Sequence, residues 1–354
     1  MQKRMLLAIL AIGATILGAT ESYAQSILNL PRASQHALVT QRVGITDISI
    51  NYSRPLVNKR QIWGKLVPYG QVWRAGANEN TTIEFTDPVT VEGKQLPKGT
   101  YGLHMIPGEN EWTVIFSKVA SAWGSFSYKE DEDALRVSVK PQSSEFREAL
   151  VYDFDDVAPD STLVTMRWEK VAVPFRIGVP VGDVVQADVK NQLRGGAQYI
   201  WEPWDEAANY FLASKTNLPQ ALDYANHSIQ VESRFENLIT KSQVLEAMGK
   251  KDESASARAQ ALDLANAIQV HSYARQLQTQ GQQDQALALF RTNLKKYPKG
   301  WVARNETARL SVAQGDYDNA VKEMKFAVNE APDIYKPALN GLVKRLEAKD
   351  DINK

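Results

Sequence analysis

The chain has 354 residues, of which 44% are hydrophobic and 23% charged, and its 41 basic and 41 acidic residues give a formal net charge of zero. This length corresponds to about two domains at ~150 residues each. The balanced charge gives no electrostatic reason to bind nucleic acid or an anionic membrane, and the absence of cysteine excludes disulfides and thiolate metal sites.

The N-terminus has the pattern of a cleavable secretory signal. Two basic residues precede an apolar run over residues 5–19, and the small residues Ser22 and Ala24 follow it. This run is too short for a membrane anchor, and no later segment has the ~18 consecutive apolar residues of a membrane helix. We therefore expect residues 1–24 to be a signal peptide, the mature protein to be periplasmic or secreted, and no integral membrane span.

Residues 25–177 show the alternation of apolar and polar residues that is typical of β-strands with one buried face. Turn-forming Pro and Gly residues separate the alternating segments. Short strands at this spacing predict an all-β, sandwich-like or barrel-like domain. The clearest strands are predicted over residues 48–52, 100–106, 112–116, 135–139, 150–154 and 164–168.

One long segment, from Ser53 to Asn80, lacks this alternation and is rich in Gly, Pro and Trp. A loop of this length inside a compact domain is uncommon and is usually functional. It is therefore the first place to search for a site in the β domain.

The β domain also contains a distinctive series of sequence motifs. The runs "GKLVPYGQVWRAGANENTTIEF" and "LPKGTYGLHMIPGENEWTVIFS" are followed by "AWGSFSY", "LRVSVKP" and "TLVTMRWEKVAVPF". Over residues 28–177 the chain resembles a family of secreted bacterial proteins known as domain of unknown function 2911. This resemblance implies the boundaries of the β domain, and tetratricopeptide units after such a domain look like a familiar arrangement. It implies no activity.

A pocket in the β domain is one hypothesis for function. If the long loop folds back over the strand 100–106, an acid, a base and a guanidinium converge between tryptophan walls, which would give a small-molecule-binding or hydrolytic site. The alternative, which we favour, is that Arg74 and Glu79 pair to fix the loop and that His104 is a hydrogen-bonded residue of the sheet. The residues of the hypothetical pocket are Arg74, Asn78, Glu79, His104, Trp63 and Trp73.

The sequence contains none of the common catalytic or cofactor-binding motifs. Its four histidines show neither HxH nor HExxH spacing, and there is no GxSxG segment, GxGxxG segment or phosphate-binding loop lysine. We therefore expect no catalytic residue, no metal and no cofactor, although an unusual enzyme is not excluded.

Beyond a predicted linker at residues 178–200, the chain repeats with a period of 34 residues. Small residues, a turn glycine and a helix-ending proline recur, and the period resembles that of tetratricopeptide helix pairs. The matched positions are Ala274 with Ala308, Gly281 with Gly315, Ala286 with Ala320 and Pro298 with Pro332. We predict an all-α solenoid over residues 201–334, with units at 202–234, 235–266, 267–300 and 301–334, and a capping helix and tail at residues 335–354.

In such repeats the first helix of each pair lines a concave groove. The predicted register places Arg275 and Arg309 in this groove, one repeat apart and beside His271 and Asn305, with Gln278 also pointing inwards. Arginine forks suit carboxylates because two parallel charge-assisted hydrogen bonds fix the geometry as well as the charge. The alternative is that these are ordinary solvated helix residues.

Together these features predict an exported, non-catalytic binding or scaffold protein. The partner is expected to be a protein or peptide held in the repeat groove, with no role for nucleic acid. The role of the β domain and the identity of the partner do not follow from the sequence.

Overall fold

The structure, a computed structural model, describes residues 31–354, so the expected signal peptide lies outside the described residues. Two compact units are present, one ending at Val181 and the other extending from Gly182 to Lys354. The first is built from strands and the second from helices, which confirms the predicted fold class. Within residues 31–354 no helix is long and apolar enough to cross a bilayer.

The β unit contains two antiparallel sheets, which do not close into a barrel. The six-stranded sheet has the order β1-β2-β3-β6-β7-β8, and the four-stranded sheet has the order β5-β4-β10-β9. The strands are β1 (Gln35–Val43), β2 (Thr46–Arg54), β3 (Thr82–Phe85), β4 (Val89–Val91), β5 (Lys94–Leu96), β6 (Gly99–Ile106), β7 (Trp112–Ser117), β8 (Asp133–Val139), β9 (Gln142–Ala158) and β10 (Ser161–Gly178).

Aromatic side chains join the buried faces of the two sheets. Tyr52 of β2 meets Tyr152 of β9 edge to face at 4.9 Å between ring centroids, and Phe116 of β7 meets Phe175 of β10 at 6.0 Å. All four rings are almost fully buried. The core of this unit therefore lies between the two sheets, as the alternation of apolar residues predicts.

The helical unit contains ten helices in the described residues. Helix α1 (Val181–Gln192) and a short 3-10 turn at Gly196–Tyr199 occupy most of the segment predicted as a linker. The remaining helices are α2 (Trp201–Ala213), α3 (Leu218–Val231), α4 (Phe235–Ala247), α5 (Lys251–Leu264), α6 (Ala267–Thr279), α7 (Gln283–Lys296), α8 (Trp301–Ala313), α9 (Tyr317–Glu330) and α10 (Lys336–Glu347).

Helices α2 to α9 form four similar pairs, each with a first helix of 13 residues and a second of 14. In the third and fourth pairs, the turn glycines Gly281 and Gly315 have φ near +78° (77° and 79°), a conformation that favours glycine. The repeated alanines of these two pairs are fully buried. The 34-residue period therefore corresponds to one helix pair.

The second pair keeps this geometry although its sequence departs from the repeat. Ser242 and Ser254 replace the two alanines, are nearly fully buried, and lie 3.0 Å apart between hydroxyl oxygens. The Ser242 hydroxyl also donates to the main-chain oxygen of Ser254 at 3.0 Å. Because each buried hydroxyl has a hydrogen-bond partner, the close helix crossing is preserved.

Candidate functional site

The long loop of the β unit folds back onto strand β6. The main-chain amide of Trp73 donates to the carbonyl oxygen of Met105 at 2.8 Å, and the amide of Met105 donates back to Trp73 at 2.8 Å. The amide of Gly70 donates to Pro107 at 2.9 Å. Residues 70–73 therefore extend the six-stranded sheet beside the strand that carries His104.

The two tryptophans predicted as pocket walls belong instead to an aromatic cluster. Trp63 packs edge to face against Trp73, Trp112 and Trp168, with ring centroids 5.9, 5.0 and 5.7 Å away. Trp73 stacks on Trp168 at 5.9 Å. We name these four residues the tryptophan cluster. It anchors the loop to the domain core.

The polar residues of the loop bind separate partners. Arg74 donates to the main-chain oxygen of Asn78, and burial lowers the pKa of the Arg74 guanidinium. The Asn78 amide donates to the main-chain oxygen of Ser34 at 3.0 Å. Glu79 forms an ion pair with Arg32 at 2.6 Å, which lowers the pKa of the Glu79 carboxyl. The alternative pairing of Arg74 with Glu79 is not observed.

His104 is buried in the sheet, with 2% of its surface exposed. Its Nδ1 atom lies 2.8 Å from the Ser125 hydroxyl, and its ring lies 5.3 Å from that of Tyr128. Burial lowers the pKa of His104 to about 4. The cavity beside it measures about 10 Å³, which is room for one water at most. His104 is thus a buried, hydrogen-bonded residue of the sheet.

A cleft of about 910 Å³ in the described β unit is lined by residues that include Arg32, His36 and Glu79. Trp73 and Arg74 line a different cavity of about 280 Å³. The proposed acid, base and guanidinium therefore do not converge, because Glu79 and His104 line separate cavities. Among residues 31–354, no three His, Cys, Asp or Glu side chains are grouped so that they could hold a metal ion.

Arg275 and Arg309 of the helical unit approach the same main-chain oxygen. Arg309 of α8 donates to the main-chain oxygen of Ile352 at 2.6 Å, and Arg275 of α6 approaches the same oxygen at 3.4 Å. Arg309 also donates to the Asn305 side chain at 3.1 Å. We name the surface formed by Arg275, Gln278, Asn305 and Arg309 the inner face.

Residues 350–354, which we name the tail, cover the inner face. The Asn353 side chain accepts a hydrogen bond from Gln278 at 3.1 Å and donates to the main-chain oxygen of Arg309 at 2.9 Å. Ile352 is fully buried and Asn353 is 3% exposed. Arg309 is itself only 3% exposed, so these are not ordinary solvated helix residues.

Nothing in the sequence pattern directly indicates that the tail binds there. Its one signal is Ile352, a single apolar residue between charged and polar neighbours, which has no periodicity to suggest what it packs against. In the structure Ile352 joins the apolar cluster of α8, α9 and α10, which includes Val312, Leu339 and Leu346.

His271 belongs to a buried polar network behind the inner face. Its Nδ1 atom lies 3.2 Å from Oε1 of Glu306, a fully buried residue, and the Asn305 amide approaches its Nε2 atom at 3.5 Å. Oε1 of Glu306 also accepts a hydrogen bond from Asn293 at 2.7 Å. This arrangement assigns the proton of a neutral His271 to Nδ1, facing Glu306.

Burial shifts both members of this pair towards their neutral forms. The pKa of Glu306 is raised to about 8 and that of His271 is lowered to about 3, in each case chiefly by removal from water. Oε2 of Glu306 has no hydrogen-bond partner among the described residues. At neutral pH both side chains are therefore mainly uncharged, and the network places little charge next to the arginines of the inner face.

The paired helices with buried alanines and turn glycines define the second unit as a tetratricopeptide-type solenoid. Residues 34–177 of the first unit match the family model described as "Protein of unknown function (DUF2911)", as the resemblance of the sequence motifs predicts. No curated protein matches the chain.

Solved structures similar to the chain include tetratricopeptide proteins. One is described as the APC/C hetero-tetramer Cut9-Hcn1, with 15% identity and a TM-score of 0.29, matching 46% of this chain and 33% of that one. Another is YrrB, described as a TPR protein with an unusual peptide-binding site, with 14% identity and a TM-score of 0.26, matching 46% of this chain and 84% of that one. The match thus spans about a third of the first of these structures.

Proposed function

We propose that this protein is an exported, non-catalytic binding protein whose helical unit holds a short segment of a partner protein on the inner face. The observation that carries the proposal is the approach of two arginines from successive repeats, Arg275 and Arg309, to one main-chain oxygen. Main-chain atoms are common to all peptides, so the same donors suit a segment of another protein.

The composition of the inner face supports this role. Two guanidiniums and two side-chain amides offer several hydrogen-bond donors, and the buried cluster around Val312 offers an apolar contact beside them. A peptide needs both, because hydrogen bonds fix its register and apolar burial supplies affinity. The described part of the β unit, residues 31–181, offers no comparable arrangement of convergent groups, which favours a binding function over a hydrolytic one.

Peptide display against the immobilised full chain tests the binding function. Selected peptides are expected to lose at least tenfold in affinity for the double variant Arg275→Ala, Arg309→Ala, because the donors to the peptide main chain are gone. The matched control is Arg194→Ala, Arg291→Ala, which removes two exposed arginines from outside the inner face. Far-UV circular dichroism establishes that both variants keep their helices.

Selected peptides that bind the inner-face variant and the control equally well would refute the proposal. The conservative variant Arg309→Lys gives a graded check. It keeps the charge but loses the planar fork, so an intermediate affinity is expected.

Export is the second part of the proposal and rests on the sequence pattern of residues 1–24. Expression of the full chain in a Gram-negative host is expected to yield periplasmic protein that begins at Gln25. Intact-mass spectrometry of the periplasmic fraction measures this. Recovery of the uncleaved chain in the cytoplasm alone would contradict export.

A further inference from the structure

The tail presents three successive residues of different chemistry to the inner face and helix α10. The Asp351 carboxylate accepts a hydrogen bond from the main-chain amide of Asn353 at 2.9 Å, within the tail, and its charge favours the protonated form of Arg309. Ile352 fills an apolar pocket, and Asn353 both accepts and donates a side-chain hydrogen bond. Ile352 and Asn353 therefore have matching partners on the helices, and Asp351 adds a negative charge beside them.

Three guanidiniums surround the tail. Besides the contacts of Arg275 and Arg309 with Ile352, Arg345 of α10 donates to the main-chain oxygen of Asp351 at 2.9 Å. Burial and the nearby charges of Arg275 and Arg345 lower the pKa of Arg309. Because the three guanidiniums lie close together around the tail, an incoming segment with an acidic residue is favoured.

The attachment of the tail allows it to leave without unfolding a helix. Helix α10 ends in a tight turn, in which Lys349 has φ of +57° and the amide of Asp350 donates to Arg345 at 2.8 Å. Beyond this turn the tail belongs to no helix or strand, and Ile352 is its one fully buried side chain. Such short segments open at a small fraction of the global unfolding free energy.

We propose that the tail is an internal ligand of the inner face, and that the partner segment which displaces it carries an acidic residue, an apolar residue and an amide residue in succession. This inference rests on the proposed function and adds to it the chemistry of the partner and a means of control. The tail closes the site until a segment with the same three features replaces it.

The consequence for affinity is calculable. A segment tethered next to its site has an effective concentration of about 1 mM. If the untethered segment binds with a Kd of about 0.1 mM, the internal copy lowers the apparent affinity of a competing peptide about tenfold. A variant whose tail binds the inner face more weakly is expected to bind the competing peptide about tenfold more tightly than the wild type does.

The test uses a fluorescent synthetic peptide with the sequence of residues 349–354 and measures its binding to the full chain by anisotropy. The variant Ile352→Ala, Asn353→Ala is expected to bind this peptide at least tenfold more tightly than the wild type does. A peptide that carries the same two alanine substitutions is the control and is expected not to bind. Equal binding of the original peptide to wild type and variant, with helices intact by circular dichroism, overturns the inference.

A second measurement does not depend on the stability of that variant. Because the chain has no cysteine and Lys354 is exposed, Lys354→Cys provides a single site for an environment-sensitive dye. Peptides from the display selection are expected to change the dye signal as they displace the tail. Unchanged fluorescence at saturating peptide counts against the inference.

The two proposals fail in different ways. If selected peptides require Arg275 and Arg309 but bind the wild type and the weakened-tail variant equally well, the binding function stands and the internal ligand is refuted. If no selected peptide requires the arginine pair, the binding function itself is refuted.

Discussion

Replacing Glu306 with glutamine is expected to stabilise the helical unit above pH 6.5 and to abolish the loss of its stability between pH 6.5 and 8. Folding raises the pKa of Glu306 from 4.5 to about 8, so in this range the folded chain holds a proton that the unfolded chain has released. The free energy of unfolding therefore falls as pH rises, by about 1.4 kcal/mol per pH unit. Glutamine is neutral and keeps an oxygen for the hydrogen bond from Asn293.

At lower pH, His271 has the opposite effect and makes the free energy of unfolding rise with pH. Folding lowers its pKa from 6.5 to about 3, so between these values the unfolded chain binds the extra proton and stability falls as pH falls. Between pH 4.5 and 6.5 the slopes of His271 and Glu306 oppose each other. The wild-type helical unit is therefore expected to be most stable in this interval.

Urea denaturation followed at 222 nm between pH 3 and 9 measures both limbs of the profile. His271→Gln is expected to flatten the rise in stability between pH 3 and 4.5, the acid limb. Glu306→Gln is expected to flatten the fall between pH 6.5 and 8, the alkaline limb. The matched control, Glu206→Gln, removes an exposed carboxylate from the same unit and is expected to leave the profile unchanged. An alkaline limb that persists in Glu306→Gln would show that burial of this carboxyl is not its cause.

The architecture of the helical unit was predictable because each recurring position of the repeat has the same structural role in every helix pair. The turn glycines Gly281 and Gly315 and the buried alanines recur at 34 residues, since each pair needs the same tight turn and close crossing. The repeat register also placed Arg275 and Arg309 on one surface. What covers that surface was not predictable, because the tail has no periodicity and its contacts join residues more than 40 positions apart in the chain.

In the β unit the strands followed from alternation, but the role of the long loop did not. Its polar residues suggested a pocket, whereas Arg74, Asn78 and Glu79 each bind a different partner. Trp63 and Trp73 of the loop are far in sequence from Trp112 and Trp168, and only the folded chain shows that the four tryptophans meet. Composition identifies polar and aromatic residues, but their partners depend on long-range packing.

The tryptophan cluster makes Trp168→Ala the most damaging single substitution that we expect in the β unit. Trp168 is 1% exposed and contacts Trp63 and Trp73 at ring-centroid distances of 5.7 and 5.9 Å. Truncating a large buried aromatic residue costs about 3–5 kcal/mol, through lost burial and the cavity that remains. The expected free energy of unfolding of this unit falls by that amount, measured by urea denaturation with near-UV circular dichroism as the probe.

A phenylalanine series separates packing from hydrogen bonding within the same cluster. The indole nitrogen of Trp168 has no hydrogen-bond partner among the described residues, whereas that of Trp73 donates to Gly76 at 3.1 Å. Trp168→Phe thus removes an unpaired buried donor, while Trp73→Phe leaves a main-chain acceptor without its partner, at a cost of about 1–3 kcal/mol. Trp73→Phe is expected to be the more destabilising of the two, although Trp73 is the less buried residue.

The control for this series is Trp123→Ala, which truncates an exposed tryptophan of the same unit. Trp123 is 52% exposed, and the guanidinium of Arg32 lies 5.8 Å from its ring centroid, a cation–π contact worth about 0.5–1 kcal/mol. If Trp168→Ala costs no more than Trp123→Ala, the cluster is not what attaches the long loop. A full cost at Trp168 would instead show that the loop between β2 and β3 is held mainly by apolar packing.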